Sequence, residues 1–510
     1  MTMDIVGNRT LRDLWDELAR TRTEDTFLVH EDPEGGITSF TYGGFHTRVV
    51  RAANLLRGLG VRPGECVAMH MGNSPQQLEC MFALACIGAM AVPLHPRSTA
   101  AECARTLTRV SAGLVICEPD VRPAEGYPAG VRVLVARDPA PGQDSYDAAR
   151  DRQPATLVDP APLASDDPAI IVFSSGSTAE PKGVVLTHAN LLFSGIFVDW
   201  QAAMSSADRV LTTMPACHVN FVLNALMPVL TAGAEIVAVE RYSASRFWQQ
   251  VRAHDATIVQ SISTIARTML LQPRDPHDRD HRVREVLYYL PISDEEKAEF
   301  DERFGVPLLN SYGTSETLVG VLTDPPTGPR RWPSIGRVGL GYEVRIADRD
   351  GRELGPREHG EIQVKGVPGR TLMAGYYDDE ERTAQAYTPD GWFRTGDVGW
   401  ADEDGWFYFV DRLVHFIKRS GENVSPTEVE ETLTAHPEIA QAAVIGVPDS
   451  VHDEAIKAFV VLTPGSRLGV TDIQAWAAQR LCDFKVPTQV EIVAALPLTS
   501  TFKVAKSALS

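Results

Sequence analysis

The chain has 510 residues, 44% hydrophobic and 23% charged, which excludes a disordered or fibrous protein and suits more than one globular domain with ample core. A formal net charge of −19 without a strong basic patch excludes nucleic acid and anionic membrane as partners, since both would repel the surface. Seven cysteines, an odd number without a C-x-x-C pair and mostly in apolar stretches, point to reduced intracellular thiols and show no zinc site. Residues 1–12 are charged and polar where a secretory leader is apolar, and the longest uncharged apolar run, 80–94, is too short for a bilayer and contains Pro93. The expectation is a soluble, cytoplasmic protein.

In chain order, residues 11–20 read as a helix, and 26–41 as two strands joined at the turn-forming Pro33-Glu34-Gly35-Gly36. Phe45, Val49, Ala52 and Leu56 recur at helical spacing; 66–69 is strand-like, 76–87 helical, and 90–94 a second short strand. Residues 102–110 and 113–117 repeat the helix-then-strand unit, which predicts a layered α/β domain with a largely parallel sheet. The Pro-, Ala- and Asp-rich segment 122–167 reads as a surface excursion. Helix and strand alternate again through 189–306, and 338–364, broken at Asp350-Gly351 and His359-Gly360, reads as a small β-rich subdomain. After Asp411-Arg412, about a hundred residues carry their own apolar pattern, enough for a small separate domain.

Between the excursion and the second alternation stands Phe173-Ser174-Ser175-Gly176-Ser177-Thr178-Ala179-Glu180-Pro181-Lys182-Gly183. The apolar run 169–173 reads as a buried strand, so this loop leaves a sheet edge with hydroxyls, backbone N–H groups and a lysine suited to phosphoryl oxygens. It is not a Walker loop, because Pro181 and Gly183 stand where that motif needs glycine and Ser/Thr. A flexible Gly/Ser turn is the alternative for the glycines taken alone.

Later motifs give the loop its context: Met214-Pro215-Ala216-Cys217-His218, Ser311-Tyr312-Gly313-Thr314-Ser315-Glu316-Thr317, Trp392-Phe393-Arg394-Thr395-Gly396-Asp397, Asp411-Arg412 and a near-terminal Lys503. In this order, over nearly the whole chain, they resemble the acyl-adenylate-forming superfamily of acyl- and aryl-CoA ligases, firefly-type luciferases and adenylation domains. Tyr242-Ser243-Ala244, Arg331-Trp332-Pro333-Ser334-Ile335-Gly336 and Ile417-Lys418-Arg419-Ser420-Gly421-Glu422-Asn423-Val424-Ser425 look most like the crotonobetaine/carnitine-CoA ligase branch. The resemblance implies an α/β fold. A large multi-subdomain N-terminal AMP-binding domain (1–411), with layered sheets and a β-rich subdomain, would precede a hinge (412–414) and a small mobile α+β lid domain (415–510).

It also implies roles. Ser174, Ser175, Gly176, Ser177, Thr178 and Lys182 would surround the ATP phosphates, Thr178 as the main donor and Lys182 as a support of the loop. Glu316 would hold the magnesium ion (Mg2+), although a lone glutamate is ordinarily a solvated surface charge. Tyr312 would stack on adenine within Ser311-Tyr312-Gly313, Ser315 would donate to the α-phosphate, and Asp397 and Arg412 would hold the ribose, with Gly396 letting the backbone pass close by. His218 would stand beside the substrate carboxylate, a buried core histidine being the alternative. Lys503 would stabilise charge developing during adenylation. In the second step the lid would withdraw Lys503 and bring the segment around Lys418 over the nucleotide, unless Lys418 is simply a surface lysine.

Three departures stand out: Phe502 where the family has glycine, Val414 where the hinge commonly has Asp or Lys, and Leu287-Tyr288-Tyr289-Leu290-Pro291 in place of a Gly-Gly-Ala-Pro-like loop. Two tyrosines there would fill volume that a long acyl chain needs, so the expected substrate is a small or compact acid. The expected reaction is adenylation of that acid with release of pyrophosphate, then transfer to a thiol such as coenzyme A. The alternative is a diazotase-type enzyme of secondary metabolism that adenylates nitrite for attack by an aromatic amine; an AMP-binding pseudoenzyme is a third reading. The oligomeric state is open, a homodimer being one option.

Overall fold

The computed structural model of the chain describes residues 4–174, 182–289, 292–318, 320–412, 417–419, 422–449, 453–481, 485–498 and 504–509. For Ser174, Asp411, Arg412, Lys418, Arg419, Glu422, Asn423, Asp453 and Ser507 it describes the backbone alone. The described residues divide into two compact units, one of 4–174, 182–344 and 364–392, the other of 345–363 and 393–509.

Two sheets organise the first unit. One runs in the order Arg337–Val338, Leu322–Thr323, Leu308–Tyr312, Glu285–Tyr289, Ile258–Ile262, Arg209–Thr212, Glu235–Val239, Thr26–Glu31, Ile37–Thr41. From Leu308–Tyr312 to Thr26–Glu31 every pairing is parallel. The other runs Gly375–Tyr376, Lys182–Thr187, Pro168–Ser174, Met90–Leu94, Cys66–His70, Leu114–Cys117, Arg132–Val135 and is parallel from Pro168–Ser174 onward. The central strands are continuous apolar runs because helices cover both faces of a parallel sheet, as in Cys66–His70 and Met90–Leu94, buried at every position. An aromatic core joins the layers: Trp15 stacks on Phe82 at 4.7 Å and meets Phe27 edge-on at 5.0 Å. Phe27 lies on the first sheet, and Phe82 on the Pro75–Ile87 helix that connects two strands of the second.

Most elements follow the sequence reading; two details differ. The segment 122–167 is more than a surface excursion, since Arg132–Val135 adds an edge strand and the Tyr146–Asp151 helix buries Tyr146 and Arg150. The Arg150 Nη1 lies 3.1 Å from Glu79 Oε1, which also accepts from the Tyr146 hydroxyl at 2.6 Å. Composition concealed these short elements because the strand depends on pairing with Leu114–Cys117 and the burial of the helix on Glu79, about seventy residues away. Pro168–Ser174 has a neighbour on both sides, so the Ser/Thr-rich loop leaves the end of an interior strand, not a sheet edge.

A further sheet runs Glu343–Ala347, Gly360–Lys365, Phe393–Ala401, Phe407–Arg412, most of its residues belonging to the second unit, so the β-rich region expected at 338–364 is completed by two later strands. The other sheet of that unit, Glu422–Val424, Ile417–Arg419, Asp453–Leu462, Ile439–Asp449 with Gln489–Ile492 beside Asp453–Leu462, packs with the helices Pro426–Thr434 and Val470–Ala478. A separate core that includes Ile417, Val429, Leu433, Val444, Ile456, Val460 and Ile473 holds it together.

Candidate active site

The strands flanking the Ser/Thr-rich loop form an antiparallel pair in which Phe173 faces Gly183 and Ser174 faces Lys182. Ser175, Gly176, Ser177 and Thr178, the core of the expected phosphate loop, lie outside the described residues, as does the side chain of Ser174. Lys182 is half-buried, with its ammonium 5.2 Å above the centre of the Tyr376 ring. Such a cation over an aromatic face favours a lysine that supports the loop. Tyr376 belongs to the short Gly375–Tyr376 strand, paired with Val184 and Val185. Its hydroxyl donates to Glu316 Oε1 at 2.9 Å.

Glu316 stands in a turn just past the end of Leu308–Tyr312. The Thr314 N–H donates to the Thr317 hydroxyl at 2.9 Å and the Thr317 N–H returns to the Thr314 carbonyl at 3.2 Å, folding 314–317 into one tight turn. The Met373 N–H donates to the Glu316 carbonyl at 2.8 Å, so the 373–376 segment holds this residue by backbone and side chain. Tyr387 shares the region, its phenol pushed up to about 12 by burial and then by the Glu316 charge. Tyr312, Gly313 and Ser315 are half-buried beside Glu316. Ser311 differs from expectation: its hydroxyl accepts from Gln201 Nε2 at 2.7 Å and donates to the Thr323 hydroxyl at 3.1 Å. That side chain, 3% exposed, braces the sheet instead of reaching for a nucleotide.

His218 caps the helix that begins at Val219, its Nδ1 accepting from the Asn220 N–H at 3.1 Å. The ring is exposed, which removes the buried-core alternative, and the cap assigns the proton of the neutral ring to Nε2. Asn73 fixes the approach: its Nδ2 donates to the Met214 carbonyl at 2.7 Å and its Oδ1 accepts from the Ala216 N–H at 2.7 Å. Behind His218, Gln260 accepts from the Thr212 hydroxyl at 2.5 Å and donates to the Asn220 carbonyl at 3.0 Å and to Asn220 Oδ1 at 3.1 Å. The helix then widens into a π-turn over Val222–Leu226, a feature frequent at functional sites.

Tyr288 and Tyr289 require a correction. They are consecutive on Glu285–Tyr289, so their rings leave opposite faces of the sheet and cannot both fill one pocket. The Tyr289 hydroxyl lies by Ser311 and Gln201, whereas Tyr288 lies on the side of Arg267 and Glu296.

In the second unit, Asp397 is 3% exposed on Phe393–Ala401 and pairs across the strands with Arg412, so the two residues expected at a ribose share one register position. Gly396, at φ +71°, supplies the left-handed backbone just before Asp397, and its N–H donates to Glu361 Oε1 at 3.2 Å. Lys418 pairs with Asn423 through the backbone, its side chain being outside the described residues along with that of Arg412. Lys503, Phe502 and Val414 lie outside them altogether. The described residues contain no group of three His, Cys, Asp or Glu arranged to hold a metal. A single anchored carboxylate such as Glu316 does not make a protein cage for a cation, but it fits Mg2+ carried on nucleotide phosphates.

Sequence reasoning missed Tyr376, Asn73 and Gln260. Tyr376 offered only a Gly-Tyr-Tyr string, and nothing local marks Asn73 as the clamp of a loop 143 residues away.

Residues 15–377 match the AMP-binding enzyme family, and 428–503 match the AMP-binding enzyme C-terminal domain. The chain belongs to the AMP-binding enzymes. A crotonobetaine/carnitine–CoA ligase of Salmonella enteritidis is 43% identical over 516 residues, covering 99% of this chain and 100% of the relative, which bears out the branch read from the motifs. Among solved structures, ATP-bound MatB from Rhodopseudomonas palustris superposes with a TM-score of 0.86 at 26% identity, covering 97% of each chain. The o-succinylbenzoate–CoA synthetase of Bacillus subtilis in complex with ATP and magnesium ion gives 0.84 at 26%, covering 97% of this chain and 98% of that one. The α/β fold and the assignment as an AMP-forming ligase stand on these likenesses. Among the described residues no helix is long and apolar enough to cross a membrane.

Proposed function

We propose that this AMP-binding enzyme adenylates a compact carboxylic acid with ATP and then transfers the acyl group to coenzyme A. The observation that carries the reading is the Lys182–Tyr376–Glu316 constellation, which ties the strand closing the Ser/Thr-rich loop to an anchored carboxylate in the turn after Tyr312. Coenzyme A as acceptor is supported by the full-length likeness to a CoA ligase. Compactness of the acid now rests on one tyrosine ring per face of the Glu285–Tyr289 strand. No observation favours adenylation of nitrite, and the presence of Thr178, Glu316, Asp397, Arg412 and Lys503 in the sequence speaks against a pseudoenzyme.

In this reading Thr178, with Ser174, Ser175, Gly176 and Ser177, holds the outgoing phosphates, and Lys182 stiffens the loop through Tyr376. Glu316 would hold Mg2+, which would supply positive charge to offset that on the leaving pyrophosphate. Tyr312 and Gly313 receive the adenine, Ser315 donates to the α-phosphate, and Asp397 with Arg412 binds the ribose hydroxyls. His218 presents its Nε2–H to the substrate carboxylate. Lys503 stabilises negative charge in the adenylation transition state and Lys418 serves the thioester step. We retain 1–411 as the adenylation domain, 412–414 as hinge and 415–510 as lid, supported by the match of 428–503 to a C-terminal domain. Cytoplasmic residence fits six described cysteines that are all free.

Pyrophosphate exchange with a panel of small acids, followed by mass spectrometry of the CoA thioesters, tests the proposal. Exchange with an acid and a matching thioester are expected; absence of ATP cleavage with every acid overturns it.

A further inference from the structure

We propose that Tyr376 is a positioning residue that holds Glu316 as a one-oxygen ligand and thereby sets which divalent cation this enzyme accepts with ATP. The inference rests on the reading of Glu316 as the metal carboxylate and deepens it.

A carboxylate with both oxygens free can bind a cation through one or both. Calcium accepts bidentate carboxylates and six to eight oxygens, whereas magnesium demands near-octahedral geometry and single-oxygen contacts. In this protein Glu316 Oε1 is already engaged by the Tyr376 hydroxyl at 2.9 Å. A donor on that oxygen leaves Oε2 as the natural ligand and opposes two-oxygen binding.

The phenol is held firmly enough for this. Tyr376 is 8% exposed, so its ring is packed in place with the hydroxyl against Glu316. Its N–H donates to the Thr383 hydroxyl at 2.8 Å, the Ala374 N–H to the Val185 carbonyl at 3.0 Å, and the Tyr377 N–H to the Gly183 carbonyl at 2.7 Å. Tyr376 therefore cannot follow a carboxylate that rotates to chelate a larger ion. The Lys182 ammonium over the ring gives the same tyrosine a second link, to the end of the phosphate loop. One side chain thus couples the position of the loop strand to the coordination mode of the carboxylate.

The experiment uses the full-length protein and Tyr376→Phe, which keeps the ring and removes the donor. Mg2+, Mn2+ and Ca2+ are titrated separately in pyrophosphate exchange. Mn2+ retained by the enzyme with a non-hydrolysable ATP analogue is read by electron paramagnetic resonance, independently of turnover. Loss of one hydrogen bond to a charged group corresponds to roughly a tenfold change. The expected result is a half-saturating Mg2+ concentration raised roughly tenfold, a Ca2+-to-Mg2+ activity ratio raised by a similar factor, and weakened Mn2+ retention, with metal-free nucleotide affinity unchanged. An unchanged ion ratio and unchanged Mn2+ retention in the folded variant overturn the proposal. If Tyr376→Phe fails to fold, Thr383→Val, which loosens the Tyr376 backbone, is expected to move the ion ratio in the same direction, and no movement is equally fatal. Glu316→Gln separates the underlying reading: if it leaves the Mg2+ response of the enzyme intact, Glu316 is not the metal carboxylate, whatever Tyr376 does.

Discussion

Asn73→Ala is the perturbation whose consequence follows most directly from the geometry around His218. Asn73 is 4% exposed, so whatever its amide satisfies stays buried when the amide is removed. The Met214 carbonyl and the Ala216 N–H would lose partners at 2.7 Å each. A buried polar group left without a partner costs about 1–3 kcal/mol, and a water entering the vacated space recovers part of that. A net destabilisation of about 3 kcal/mol follows. The same amide holds the loop from which the His218 N–H donates to the Pro215 carbonyl at 2.9 Å, so its loss loosens the ring that we propose to contact the acid. A displacement of about 1 Å at a positioning group typically costs about a hundredfold in rate. Urea denaturation should register the stability loss, and pyrophosphate exchange at varied acid concentration should show kcat/KM for the acid falling tenfold or more while the KM for ATP holds within about twofold. A variant as stable as the parent with unchanged acid kcat/KM would refute the assignment of Asn73 as the clamp of this loop.

Lys503→Ala should slow adenylation far more than thioester formation from a preformed acyl-adenylate, measured as separate half-reactions; equal losses would remove the lysine from the first transition state. Gly336→Ala should destabilise the first unit by at least about 2 kcal/mol, because Gly336 has φ +106° and an added Cβ would lie 2.2 Å from the Thr323 carbonyl carbon; an unshifted thermal melt would contradict this. Asp199, whose carboxyl burial raises to about 7, binds a proton more readily folded than unfolded, so its contribution to stability is full below about pH 4 and is lost as pH rises toward 7. Asp199→Asn should therefore flatten the stability profile over that window, and an unchanged slope in urea denaturation would show the group to be ionised throughout.

The parts of this protein that could be read from its residues are those whose signal is local. Apolar runs such as 66–69 and 169–173 are strands because a parallel sheet covered on both faces demands uninterrupted hydrophobicity, and Ser74, Thr99, Thr187 and Ser293 open helices by accepting from backbone N–H groups three residues on. The motif around Tyr312 and Glu316 likewise carried its own identity, since spacing along one strand and one turn sets which groups emerge together. Tertiary structure decided what these residues face. Whether the Ser311 hydroxyl reaches a ligand or braces a sheet depends on Gln201, 110 residues away, and the hold on Glu316 depends on Tyr376, 60 residues away. The two tyrosines at 288 and 289 show the same division: their bulk was evident in the sequence, but the alternation of a strand separates the rings onto opposite faces. Side-chain chemistry belongs to the residue and follows from its identity; orientation and partnership belong to the packed chain, because only folding brings distant segments within a hydrogen bond of one another.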